Sequence, residues 1–181
     1  SCEIHGLRHE VLNAFQTVAR WPAFSLPANH MTVFQPDGGY VMSERAIVAH
    51  VIGAIEAGAD IRGFTPMLSW QTTPVGVAVE TPRGRFEAEQ IIFAAGAWMG
   101  SLIPELAPAL QPERQVLGWF WPENPEAFQD DTLPVFNLAG KDERWYGFPM
   151  RGFPGFKFGK YHHRFEQVDP DQMDRNPNAG D

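Results

Sequence analysis

Lys157 lies in the run WYGFPMRGFPGFKFGKYHH, from Trp145 to His163, among aromatic residues and glycines and just before a pair of histidines. Apolar and other residues alternate there, which predicts two short strands, Trp145 to Phe148 and Phe156 to Tyr161, joined by a turn rich in Gly and Pro. Successive strand side chains leave opposite faces, so Lys157 points away from the face that takes Phe156 and Phe158. That face is either solvent, the commoner setting for a strand lysine, or a pocket in which a cation does chemistry. The other reactive patterns are weaker. His5 and His9 could share a helix face near Cys2, but a zinc site needs a third firm ligand, and a solvated surface explains these residues better; no metal is expected. The sequence has no Walker loop, HExxH or GxSxG elbow, and RGFPGFKFG lacks the strand-then-helix setting of a phosphate loop. Hydrolase and kinase chemistry find no support.

The elements that must position these residues follow from periodicity. Leu7, Val11, Leu12, Phe15 and Val18 recur at helical spacing and predict a first amphipathic helix ending at Trp21 and Pro22. A second helix is expected with Ser43 as N-cap, Glu44 in its first turn, a buried stripe of Ile47, Val48, Val51, Ile52 and Ile55, and Gly58 at its stop. VGVAVET alternates as a strand, PRGR is a turn, and the continuous apolar run Ile91 to Ala95 predicts a strand buried on both faces. That run ends at Gly96, Ala97 and Trp98, before a helix through Leu102 and Ile103. Small residues at a strand end either let backbone approach a ligand, as in nucleotide crevices, or serve tight packing of helix on strand. Beyond an expected boundary near Ser101 to Gln111, QVLGWFWP, LPVFNLAG, RWYGFP and FKFGKYHH predict short aromatic strands of an antiparallel sheet. The fold class expected is therefore mixed, α+β or α/β.

Composition narrows the function classes. With 181 residues, 44% hydrophobic and 13% aromatic, the chain can bury a core, and a net charge of -8 without a basic stripe argues against a nucleic-acid partner. Cys2, the only cysteine, can form no internal disulfide, which fits a reducing cytoplasm. No segment reaches the ~20 apolar residues of a membrane span, so no membrane partner is expected. The chain opens without Met and ends in the polar VDPDQMDRNPNAGD, so it reads as an internal fragment of a longer protein.

Four segments, in order, carry a resemblance: MTVFQPDGGYVMSERAIVAH, EAEQIIFAAGAWMGSLIPEL, PERQVLGWFWPE and YGFPMRGFPGFKFGKYHH. Together they resemble the FAD-dependent amine oxidases related to monomeric sarcosine oxidase and N-methyltryptophan oxidase. The resemblance implies the middle part of a glutathione-reductase-like FAD domain interleaved with an antiparallel substrate domain. On that reading residues 1–40 lead into the substrate domain, 41–105 belong to the FAD-binding domain, and 106–181 belong to the substrate-binding domain. It also implies that Gly96, Ala97 and Trp98 lie near the cofactor, that backbone near Met67 lies by the adenine, and that Tyr146 belongs to the substrate pocket. Lys157 matches the lysine that faces the flavin. For the matching histidine, an extra residue after the lysine leaves two candidates, of which His162 is preferred over His163. Arg151, in the hairpin turn, is a candidate for a substrate carboxylate.

The activity implied is oxidation of a secondary or N-methylated amine, such as an amino acid, with FAD and dioxygen, giving hydrogen peroxide. Two alternatives stand beside it: an FAD-dependent amino-acid or glycine dehydrogenase of the same superfamily, and a binding module without turnover. The family's Gly-rich dinucleotide fingerprint and its C-terminal flavin-linking cysteine have no counterpart in this sequence, and Cys2 does not match the latter position. The isolated chain is therefore expected to hold FAD weakly. Oligomeric state is not legible.

Overall fold

A computed structural model describes residues 1–152 and 154–181. Along the chain, the first half carries β1 (Glu10–Asn13), α1 (Ala14–Arg20), β2 (Met31–Phe34), α2 (Ser43–Glu56), β3 (Ser69–Thr73), β4 (Gly76–Thr81), β5 (Gly84–Ala88) and the single turn α3 (Met99–Leu102). The second half carries β6 (Leu117–Phe120), β7 (Phe136–Ala139), β8 (Arg144–Phe148) and β9 (Phe156–Lys160), linked by loops and short 3-10 turns. Helix and sheet are thus mixed, as expected, in two compact units. None of the described helices is long and apolar enough to cross a membrane.

The first unit comprises Ser1–Val41, Gln115–Phe165 and Asn176–Asp181. Its centre is a four-stranded antiparallel sheet in the order β6-β9-β8-β7. One face carries the core. There Trp145 stacks on Phe158 with ring centroids 5.1 Å apart, Phe136 lies over Phe156 at 6.2 Å, and Phe24 and Phe128 meet them edge-on at 4.9 and 5.0 Å. Offset and edge-to-face rings at such spacings hold beyond the area they bury. Gly147 makes room for this cluster, because a Cβ there would stand 2.4 Å from the Phe136 ring and 2.9 Å from that of Phe156.

The same unit corrects the first helix. Asn13 and Gln16 form a capping box, each side chain bonded to the other's backbone N–H at 2.9 Å, and this starts α1 only at Ala14. The residues before it, including Val11 and Leu12, form β1, whose ladder with β2 runs from Glu10 opposite Phe34 to Asn13 opposite Met31. Thr17, 2% exposed, donates its hydroxyl to Asn13 O and shares a 2.9 Å hydrogen bond with the Thr32 hydroxyl, which fastens α1 to β2.

The second unit comprises Met42–Arg114 and Glu166–Arg175. Strands β3, β4 and β5 form an antiparallel meander with Ala78, 1% exposed, at its centre. The second helix spans the expected range, and Gly58, at φ 90, accepts the left-handed conformation that stops it. Two details differ. Met42, not Ser43, holds the N-cap position, and the Ser43 hydroxyl donates to Glu44 Oε2 at 3.0 Å. The apolar stripe is exposed: Ile47, Val48, Ile52 and Ile55 are 51–63% accessible, because no other element among the described residues covers them. The run Ile91 to Ala95 is not a strand either, and Ile92 is 90% exposed. A strand exists only through a hydrogen-bonded neighbour, and this segment pairs with none of the described residues. Arg114 anchors the tail of the unit, its Nε donating to Asp174 O at 3.0 Å and its backbone N–H to Glu166 O at 2.9 Å.

Candidate active site

The β8–β9 hairpin forms as its alternation predicts, and the register of its neighbours decides what surrounds Lys157. Trp119 on β6 stands directly opposite Lys157 on one side, and Phe148 on β8 on the other. All three side chains share the face away from the Phe136–Phe156 core. The Lys157 Nζ lies 5.0 Å from the Phe148 ring centroid and 5.5 Å from that of Trp119, within the reach of a cation–π attraction. Among the described residues the Lys157 side chain has no hydrogen bond and no ion pair. Phe156 and Phe158, its neighbours in sequence, lie on the other face, as strand geometry requires. Phe153, in the turn of this hairpin, lies outside the described residues. Trp119 is a residue that spacing along the chain did not single out; only the register reveals it.

Tyr146 occupies the same face, two residues before Phe148. It stands opposite Gly159, and a Cβ on Gly159 would be 2.6 Å from the phenol carbon and oxygen. The bare glycine is the cradle in which the phenol lies. Tyr161 closes the other side, with ring centroids 4.7 Å apart, and donates its own hydroxyl to Asn137 Oδ1 at 2.9 Å. Partial burial, and then the charge of Tyr161, push the Tyr146 pKa above its ordinary value near 10, so the phenol stays protonated.

The two histidines part company. His162, with φ 50, turns out of the strand, stays exposed and stacks its ring parallel to Phe165 at 5.5 Å. Its backbone N–H is bonded to Gln115 Oε1 at 3.0 Å, and its side chain lines a cleft of about 310 Å³ together with Tyr161, Asn137 and Arg144. His163 turns inward, its side chain 10% exposed and its Nε2 3.7 Å from Asp181 Oδ1. Of the two, only His162 therefore reaches open space beside Tyr161. Arg151 is exposed, and Asp130 already neutralises it at 2.9 Å.

Met67, Gly96, Ala97 and Trp98 belong to the other unit. Met67 is half-buried just before β3. Trp70, on β3, ties this region to the segment after residue 90: its ring meets Phe93 at 5.0 Å and its Nε1–H donates to Leu102 O at 2.9 Å. Gly96 has φ 54, a conformation suited to glycine, and opens a short 3-10 turn through Trp98. Gly96 and Ala97 are exposed, and Trp98 is held by a 2.8 Å hydrogen bond from its Nε1–H to Asp171, a partner not foreseen from the sequence. This leaves exposed backbone at the turn, while the sheet of the first unit offers a protonated phenol and an unneutralised ammonium on one face.

Comparison with known proteins gives this arrangement a family. The chain is 32% identical over 177 residues to monomeric sarcosine oxidase from Bacillus sp. (strain NS-129), covering 97% of this chain and 46% of that protein. It is 31% identical over 163 residues to N-methyl-L-tryptophan oxidase from Yersinia pestis (strain Pestoides F), covering 90% of this chain and 43% of that protein. The chain thus spans less than half the length of these relatives. Among solved structures, glycine oxidase from Geobacillus kaustophilus superposes with a TM-score of 0.68 at 20% identity, over 99% of this chain and 45% of that one. NikD, an amino acid oxidase essential for nikkomycin biosynthesis, superposes with a TM-score of 0.61 at 21% identity, over 88% of this chain and 42% of that one. Both share the fold. With its residues 1–179 matching that family throughout, the chain belongs to the FAD dependent oxidoreductases, whose cofactor is FAD.

Proposed function

We propose that the protein is part of an oxidase acting on a secondary or N-methylated amine, of the kind that its relatives' names describe: sarcosine or an N-methyl amino acid. The carbon beside nitrogen loses two electrons and a proton, nitrogen loses its proton, and water splits the resulting imine. When bound, FAD would supply the acceptor for the electron pair, with dioxygen as the final acceptor and hydrogen peroxide as the product. On this reading residues 1–40 and 106–181 belong to the substrate side of the enzyme and 41–105 to the FAD side, with Met67, Gly96, Ala97 and Trp98 near the cofactor. The two sides interleave as parts of a substrate domain and a glutathione-reductase-like FAD domain. The lone free cysteine fits a cytoplasmic setting.

The residues present fit a flavin in their chemistry. A planar ring system that becomes electron-rich on reduction is matched by a cation held on an aromatic face, with no carboxylate to cancel it. Lys157 is that cation, and its lack of an ion pair is the observation that carries the reading. Its task is to stabilise the negative charge that develops as an electron passes to dioxygen. Tyr146, protonated and seated over Gly159, and His162, beside Tyr161, shape the substrate pocket. Arg151 takes the substrate carboxylate by exchanging Asp130 for it.

The test is Lys157→Met in the full-length flavoprotein, with reduction by amine and reoxidation by air-saturated buffer measured separately. Slowed reoxidation with near-normal substrate binding is the expected result. Equal losses in both half-reactions would refute the assigned role.

A further inference from the structure

We propose that Trp119 is a positioning residue for Lys157, its indole face setting where the ammonium stands and thereby the rate of the oxygen step. The inference rests on the role of Lys157 proposed above.

A lysine has a flexible four-carbon stem and a strongly hydrated head, so on a half-open sheet face its end is fixed only if something holds it. Among the described residues no side-chain hydrogen bond or ion pair does so. What remains are the two rings that flank it across the strands, Phe148 at 5.0 Å and Trp119 at 5.5 Å. Indole attracts a cation more strongly than phenyl does, so Trp119 is the stronger of the two holders.

The indole is itself placed by the hairpin. Gly155, at φ 116, brings the turn so close to β6 that a Cβ there would stand 3.2 Å from Trp119 Cβ and 3.2 Å from Phe120 O. A turn that requires glycine thus fixes the tryptophan, and the tryptophan fixes the lysine.

The experiment uses the full-length flavoprotein, photoreduced without air and then mixed with dissolved dioxygen, with flavin absorbance reporting reoxidation; no substrate is needed. Trp119→Leu is expected to slow reoxidation roughly fivefold to tenfold, the size of a lost cation–π contact. Trp119→Phe, which keeps a ring, loses less. In a Lys157→Met background Trp119→Leu adds no further loss, because the group it positions is gone. Where Trp119→Leu does not retain flavin, Trp119→Met, closer in volume and without a ring, serves the same comparison.

A normal rate for the Trp119 variant beside a slow Lys157→Met overturns this inference and leaves the lysine's role intact. Equal slowing in both backgrounds also overturns it, since the indole then acts without the cation. A normal rate for Lys157→Met overturns the reading of the lysine and this inference with it.

Discussion

Lys157 and Lys160 leave opposite faces of the same strand, and only Lys160 is neutralised. The Lys160 ammonium pairs with Glu143, and the contact draws the Glu143 carboxyl below its ordinary value. The Lys157 ammonium has, among the described residues, the π faces of Phe148 and Trp119 and no carboxylate partner. A unit charge pair at ~4 Å is worth roughly 4 kcal/mol at an effective dielectric near 20, but about 1 kcal/mol in water. Replacing Lys157 by Met is therefore expected to cost up to about three decades in the rate of flavin reoxidation. Lys160→Met is expected to change it by less than about twofold, since an exposed ion pair contributes little. Stopped-flow reoxidation of the two variants decides the matter.

Gly159 is bare because Tyr146 needs its space. Gly159→Ala places a methyl group where the phenol lies and is expected to destabilise the protein by about 1–3 kcal/mol, the usual range for overpacking. Tyr146→Ala in the same chain relieves the clash. Thermal unfolding should show the double variant more stable than Gly159→Ala alone, and KM for the amine should rise in both.

The raised Tyr146 pKa gives stability a definite dependence on alkali. The folded state keeps the phenol protonated where the unfolded chain has begun to lose it, so this contribution is full below the ordinary value near 10. It is lost as pH rises from there through the folded value. Denaturant unfolding on the alkaline side should show the wild type losing stability faster than Tyr146→Phe, with the two curves parallel near neutrality.

Arg151, proposed above to take a substrate carboxylate, is held by Asp130. Arg151→Met is expected to raise KM roughly tenfold for an N-methyl amino acid and to leave the matching carboxylate-free amine unaffected, the difference being one charge-assisted contact. Asp130→Asn should lower KM for the amino acid by removing the competitor. Steady-state kinetics on the substrate pair distinguish these effects from a general loss of folding.

Much of the first unit was legible because strand parity is a local property. Alternation around Lys157 placed it opposite Phe156 and Phe158 without any knowledge of its neighbours, and the Gly- and Pro-rich stretch marked the turn. Trp119 was not legible, because which residue stands across a ladder depends on register between strands far apart in sequence. The first helix misled because Leu7, Val11 and Leu12 fit a helical period, yet the Asn13–Gln16 capping box starts the helix after them. Ile91 to Ala95 misled in another way: an apolar run records a preference for burial, while a strand needs a partner to supply hydrogen bonds. The same holds for the α2 stripe, whose periodicity was right and which no described element covers. Met67 came from the resemblance alone, whereas Gly96, Ala97 and Trp98 were also marked by the end of the apolar run; the bond from Trp98 to Asp171 spans too much sequence for any local pattern to reveal it.

The order in which the chain enters its two units bears on how it is made. Its first unit begins with Ser1–Val41, but the sheet that holds Lys157 lies in Gln115–Phe165, after the whole of Met42–Arg114. A nascent chain leaving the ribosome must therefore carry β1, α1 and β2 unfinished while the meander of the other unit is synthesised and is able to form. Closing so long a loop costs entropy before its contacts repay it, and exposed strand edges wait meanwhile. Emergence does not mean completion here, and chaperone dependence should fall on Ser1–Val41 while Met42–Arg114 is being made.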